Sequence, residues 1–131
     1  MKLTVDTNVL VRTFVRDVPE QAAIAEKLLR DAQLIAVPMI VLCETAWVLK
    51  SVYKFSSSQI AMAIRALVAT KNVECDHAAV DVGLALLDTG GDFTDGVIAH
   101  QGKWLGGEAF VSFDKVAVEL LQKQGLSAQV L

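Results

Sequence analysis

Four acidic residues of this chain stand in apolar surroundings. Asp6 closes the short stretch Leu3-Thr4-Val5, and Glu44 lies within Val41-Leu42-Cys43-Glu44-Thr45-Ala46-Trp47. Asp95 lies within Asp92-Phe93-Thr94-Asp95-Gly96-Val97-Ile98, and Asp114 ends Phe110-Val111-Ser112-Phe113-Asp114. A carboxylate among apolar residues must be paired, hydrogen-bonded, protonated or bound to a cation. None of these segments contains a basic residue. Hard oxygen donors suit a divalent cation such as Mg²⁺, and such a cation implies phosphate chemistry.

Each acid also has a structural account. The helical neighbours of Glu44 at three and four residues are Ile40, Val41, Trp47 and Val48, all apolar. Glu44 is therefore either a functional carboxylate or one at the edge of a mostly buried helix, reaching solvent. Asp6 is a ligand or a helix N-cap, and Thr7 or Asn8 could cap equally well. As functional groups, Thr7 would orient a metal-bound water and Asn8 would fix the loop by side-chain hydrogen bonds. Asp92 and Asp95 have the spacing of a cap and a first-turn acid. Capping accounts for Asp92 better than for Asp95, because Ile98 and Ala99 share the Asp95 face. Asp95 is the candidate ligand, and Asp92 a supporting or capping acid. Asp114 caps the last helix or binds the ion.

The other polar candidates carry less. His77 and His100 lack ligand spacing and read as surface or helix-end residues. Trp47 and Trp104 read as packing anchors rather than base-stacking platforms. Arg12 and Arg16 read as a solvated helix face rather than phosphate contacts. Ser56-Ser57-Ser58 reads as capping, and the glycine pairs at 90–91 and 106–107 lack phosphate-loop spacing.

The 131 residues are expected to form one domain, 1–131. The apolar fraction is 53% and the mean hydropathy +0.46. Either the core is generous or a partner covers part of the apolar surface. The richest apolar run, Leu34 to Leu49, is broken by Pro38 and Glu44 and is too short to cross a membrane. The first residues lack a signal-peptide layout, so a soluble, cytoplasmic protein with no membrane association is expected. Cys43 and Cys75 form neither a disulfide framework nor a ligand pair. A net charge of -3 and a pI near 5.3 argue against nucleic-acid binding through a broadly basic surface. They do not exclude phosphates engaged through a cation, which would reverse the local sign of an acidic cluster.

Strands are expected at 2–5, 34–37, 72–75 and 109–113, with an edge strand within 126–130. Helices are expected at 8–14, from Asp17-Val18-Pro19 to Asp31, from Pro38 to Tyr53, from Ser56 onward, from Asp76 to Leu87, at 93–102, and from Asp114 to Lys123. Strands separated by helices predict an α/β domain with a parallel sheet. Ligands of such sheets bind at the carboxyl ends of strands. Asp6 and Asp114 both follow predicted strands, and would share a crevice if those strands were neighbours.

The segment Val5-Asp6-Thr7-Asn8-Val9-Leu10-Val11 is similar to the opening motif of PIN-domain ribonucleases. Glu44-Thr45-Ala46-Trp47-Val48-Leu49 resembles their second motif, the segment from Asp92 to Ala99 their third, and Val111-Ser112-Phe113-Asp114-Lys115 their fourth. Size and short connections most resemble the toxin halves of VapBC toxin–antitoxin pairs. The resemblance implies a three-layer, Rossmann-like (PIN-like) fold with a central parallel sheet flanked by helices. It implies that Asp6, Glu44, Asp95 and Asp114 hold Mg²⁺ or Mn²⁺, with Thr7 as the hydroxyl beside the first acid. It also implies hydrolysis of RNA, a homodimer and a cognate antitoxin that blocks the groove. Ser112 stands where threonine is usual and keeps the hydroxyl. Gly96 stands where alanine is usual, which loosens the start of that helix.

The expected reaction is metal-assisted phosphodiester hydrolysis by water, without a protein nucleophile. Two rival readings fit the sequence. One is a protein-binding module with a degenerate metal site. The other is a metal-dependent phosphohydrolase of small substrates, disfavoured because the residue two after Asp6 is Asn8 rather than aspartate.

Overall fold

Lys2–Thr4 forms the first strand, β1, and Asp6 then turns the chain into helix α1, Thr7–Val15. The computed structural model describes residues 1–131. Helix α2 (Pro19–Asp31) starts with a proline, whose fixed φ suits a first turn. Then come β2 (Leu34–Ala36), α3 (Met39–Ser51), α4 (Ser57–Val68) and β3 (Val73–Glu74). The remainder is α5 (His77–Asp88), α6 (Phe93–Trp104), β4 (Phe110–Ser112), α7 (Lys115–Lys123) and β5 (Ala128–Val130). No helix is long and apolar enough to cross a membrane.

The chain forms two compact units, Met1–Asp76 and His77–Leu131. In the first, β1, β2 and β3 make a parallel sheet in that order, with Leu3 opposite Ile35 and Ile35 opposite Val73. Ile35 is fully buried, as expected for a central parallel strand covered on both faces. Leu10, Leu42, Leu49, Ile60 and Ile64 complete this core, one or more from each of α1, α3 and α4. The Asn72 amide donates to the Leu29 and Ala32 carbonyls at 2.8 and 2.9 Å, tying the end of α2 to the entry of β3. Ser56 and Gln59 cap α4 reciprocally, the Gln59 N–H donating to Ser56 Oγ and the Ser56 N–H to Gln59 Oε1.

Asp17 does not cap α2; that position falls to Val18, which supplies no side-chain bond. Asp17 instead accepts from Arg12 at 3.0 Å and from the Tyr53 hydroxyl at 3.1 Å. Arg12 also donates to Gln21 at 2.7 Å, and Arg16 pairs with Glu26. The two arginines are therefore held by protein partners rather than simply solvated.

In the second unit, β4 and β5 pair in parallel, Val111 opposite Gln129. Leu86, Val118, Leu121 and Ala128 form its core cluster, with Phe110 and Leu126 packed against it. The parallel α/β class is as the sequence implies. The strands hydrogen-bond as a three-stranded sheet in the first unit and a two-stranded sheet in the second. Each strand has only two or three ladder residues, which leaves little backbone to extend the pairing.

Candidate active site

In the first unit, Asp6 has extended backbone and its Oδ1 accepts from the Val9 N–H at 3.3 Å, capping α1. Thr7 Oγ1 donates to Glu44 Oε1 at 3.3 Å, a long hydrogen bond that links the start of α1 to the middle of α3. Asn8 is exposed in the first turn, and its side chain takes no part in these bonds. The loop-fixing role expected for it is not seen.

Glu44 is not the buried carboxylate that its apolar neighbours suggest. It faces solvent, and so do Ile40, 71% exposed, and Trp47, 62% exposed. Val41 and Thr45 take the buried side of α3, where the Thr45 hydroxyl satisfies itself on the Val41 carbonyl at 2.7 Å. Trp47 and Trp104 are consequently not packing anchors, since both are largely exposed. For Glu44 this is the solvent-reaching alternative that the sequence left open, at the edge of a helix whose other face is buried. The acid between Ile40 and Trp47 was the signal that this face is wet.

In the second unit, Asp92 caps α6, its Oδ1 accepting from the Thr94 N–H at 2.8 Å. Asp95 follows in the first turn, partly buried. Burial raises its carboxyl above the usual aspartate range, and the nearby charges of Asp92 and Asp114 add to the rise. Asp114 caps α7 by accepting from the Ala117 N–H at 3.1 Å, and its own N–H donates to Ser112 Oγ at 3.0 Å. Ser112 thus fixes the backbone that presents Asp114. His100 sits within α6, partly buried, with its Nε2 shielded from solvent and unpartnered. It is neither a surface nor a helix-end residue.

Gly96 has a packing reason that the sequence concealed. A Cβ there would lie 2.7 Å from the Val82 carbonyl oxygen and 2.8 Å from the Gly83 Cα. A Cβ on Gly83 would lie 2.7 Å from the Phe93 ring. These two glycines let α5 and α6 meet backbone to backbone beside Asp95. The glycine does not loosen the helix start; it sets how closely Asp95 is held against α5.

The capping account and the ligand account are compatible. Asp6, Asp92 and Asp114 each commit Oδ1 to a backbone N–H. The cap leaves the second oxygen to other partners, and the helix N-terminus favours the ionised form. The ion pairs of the chain use Asp17, Glu26 and Asp31, none of them a candidate acid. The candidate ligands are all carboxylates, the oxygen donors that a hard divalent cation prefers, and at Asp95 the charges of Asp92 and Asp114 add to the effect of burial. No three His, Cys, Asp or Glu side chains stand close enough to hold an ion together in this structure.

The profile of the PIN domain matches residues 3–120, and the chain belongs to the PIN domain family. PIN domains are generally nucleases that use divalent metals. No curated protein matches the chain.

Proposed function

We propose that this chain is a metal-dependent endoribonuclease, the toxin of a type II toxin–antitoxin pair, with its nuclease domain spanning 1–131. The observation that carries the reading is Asp95, half-buried in the first turn of α6, where burial and then the nearby charges of Asp92 and Asp114 raise its proton affinity. Family membership supplies the reaction class. Asp6, Glu44, Asp95 and Asp114 would hold Mg²⁺ or Mn²⁺. The cation, when bound, neutralises the scissile phosphate and lowers the pKa of water.

The chain's own groups have the remaining tasks. Thr7 holds the Glu44 carboxylate through its hydroxyl. Glu44 accepts a hydrogen bond from the attacking water and orients it. Ser112 and the caps of α1 and α7 fix where Asp6 and Asp114 present their oxygens. The water oxygen bonds to phosphorus and gives up a proton, one bridging P–O bond breaks, and the departing oxygen takes up a proton. No serine or cysteine nucleophile is required.

The partner part of the proposal is a homodimer and an antitoxin acting in the cytoplasm. It is supported by exposed apolar side chains in the second unit, among them Trp104, Leu105, Phe113 and Val116. An amphipathic helix followed by a basic segment would suit apolar surface beside acids.

The test is incubation of the purified protein with total cellular RNA, with and without Mg²⁺. Cleavage that requires the cation and is lost in folded Asp6→Asn supports the proposal. Full cleavage by that variant removes Asp6 from the mechanism. Folded protein that cuts no RNA at any Mg²⁺ or Mn²⁺ level leaves the binding-module reading in its place.

A further inference from the structure

Helix α3 carries more than Glu44 on its exposed face. Trp47 and Lys50 follow at three-residue steps, and both are exposed. Residues three apart on a helix are neighbours, with Cβ atoms about 5–6 Å apart. An acid, an indole and an ammonium therefore lie in that order along one oblique ridge. An indole 62% exposed is unusual on a helix whose other face supplies the fully buried Leu42 and Leu49. Lys50 belongs to none of the ion pairs at Asp17, Glu26 and Asp31.

We propose that Trp47 and Lys50 form a binding ridge for a single-stranded RNA segment, with one unpaired base stacked on the Trp47 indole and an adjacent phosphate on Lys50. The inference rests on the nuclease reading, because it places this ridge beside Glu44. The indole suits the flat face of a base and the ammonium suits the adjacent phosphate, whereas the Glu44 carboxylate has the same sign as phosphate and bounds the ridge at its other end. A purely apolar partner would leave the Lys50 ammonium unmatched. A duplex keeps its bases stacked inside, so only an unpaired base can lie on the indole. Sequence-tolerant stacking combined with one cation is the usual chemistry of single-strand recognition.

The chain has two tryptophans, so Trp104→Phe makes Trp47 the only indole. In that background, Asp95→Asn prevents cleavage and permits titration in Mg²⁺. The probe is an unstructured RNA of about 12 nucleotides, with a blunt duplex of the same sequence as comparator. Quenching of Trp47 emission by the single strand, and not by the duplex, is expected. Trp47→Ala should lose about tenfold in affinity by anisotropy, while Trp47→Phe keeps most of it. Lys50→Ala should weaken binding and reduce the salt slope by about one.

Trp47→Ala protein that binds the single strand as tightly as its parent overturns the proposal. So does a Trp47→Ala change confined to oligomeric state by sedimentation, which would make the ridge a subunit contact. If the wild type still cleaves RNA in either case, the nuclease reading stands without the ridge. If the wild type neither binds nor cleaves RNA, both fall.

Discussion

Thr7 Oγ1 donates to Glu44 Oε1 across 37 positions of sequence, and this bond alone ties the first candidate acid's helix to the second acid's side chain. Removing it should be felt in catalysis before stability. The bond is long and its atoms are solvent-accessible, so its net worth to folding is small. Thr7→Val should cost less than about 1 kcal/mol in denaturant unfolding and lower RNA cleavage about tenfold. Thr7→Ser should restore most of the rate, and a Thr7→Val enzyme of wild-type rate would show that the bond does not serve Glu44.

Asparagine caps helices about as well as aspartate. Asp6→Asn and Asp114→Asn should therefore unfold within roughly 0.5 kcal/mol of the wild type, yet lose RNA cleavage. Asp114→Ala should cost about 1 kcal/mol as well, because the Ala117 N–H loses its partner. Equal destabilisation by Asn and Ala would mean that charge, rather than capping, supports α7.

Asp95 sets a pH dependence with a definite sign. Its folded-state carboxyl lies above the aspartate range, so the native state binds the proton more tightly than the unfolded chain. Stability without cation should therefore fall as pH rises from the unfolded aspartate pKa, about 3.9, through the raised folded value. Asp95→Asn should raise Tm at neutral pH in EDTA by on the order of a degree or two, the gain vanishing in acid. A Tm for Asp95→Asn below the wild type at pH 7 would contradict this.

Cation binding requires the ionised carboxylate, so Mg²⁺ should oppose the same effect. Adding Mg²⁺ should raise the wild-type Tm at neutral pH and do so less as the pH is lowered. The shift should be much smaller in Asp95→Asn. Scanning calorimetry with and without Mg²⁺ measures it without any assay of cleavage.

Gly96→Ala places a methyl group against backbone that cannot rotate away. It should destabilise the protein by about 1–3 kcal/mol despite the better helix propensity of alanine. Urea unfolding gives the number. An alanine as stable as the glycine would mean that α5 and α6 separate at no cost, and activity would then report whether Asp95 moved.

The elements were legible because their ends are marked. Pro19, the Ser56 to Gln59 capping box and the aspartates at 6, 92 and 114 each begin a helix where the sequence places one. Strand pairing was not legible, since two or three ladder residues leave no pattern from which to read neighbours. The candidate acids were legible as outliers in apolar segments, but the reason given for them was partly wrong. Glu44 is conspicuous because its exposed face is apolar, not because it is buried. Gly83 could not have been found from one chain: its role depends on Phe93 and Gly96 facing it across a helix pair.

Arg12 and Arg16 are already engaged with Asp17 and Glu26. A polyanion passing along α1 finds guanidinium groups whose charge is answered from within the protein, so it displaces few condensed ions there. RNA affinity should accordingly respond only mildly to added KCl; a steep decline across the millimolar range would show that these arginines leave their carboxylates for the substrate.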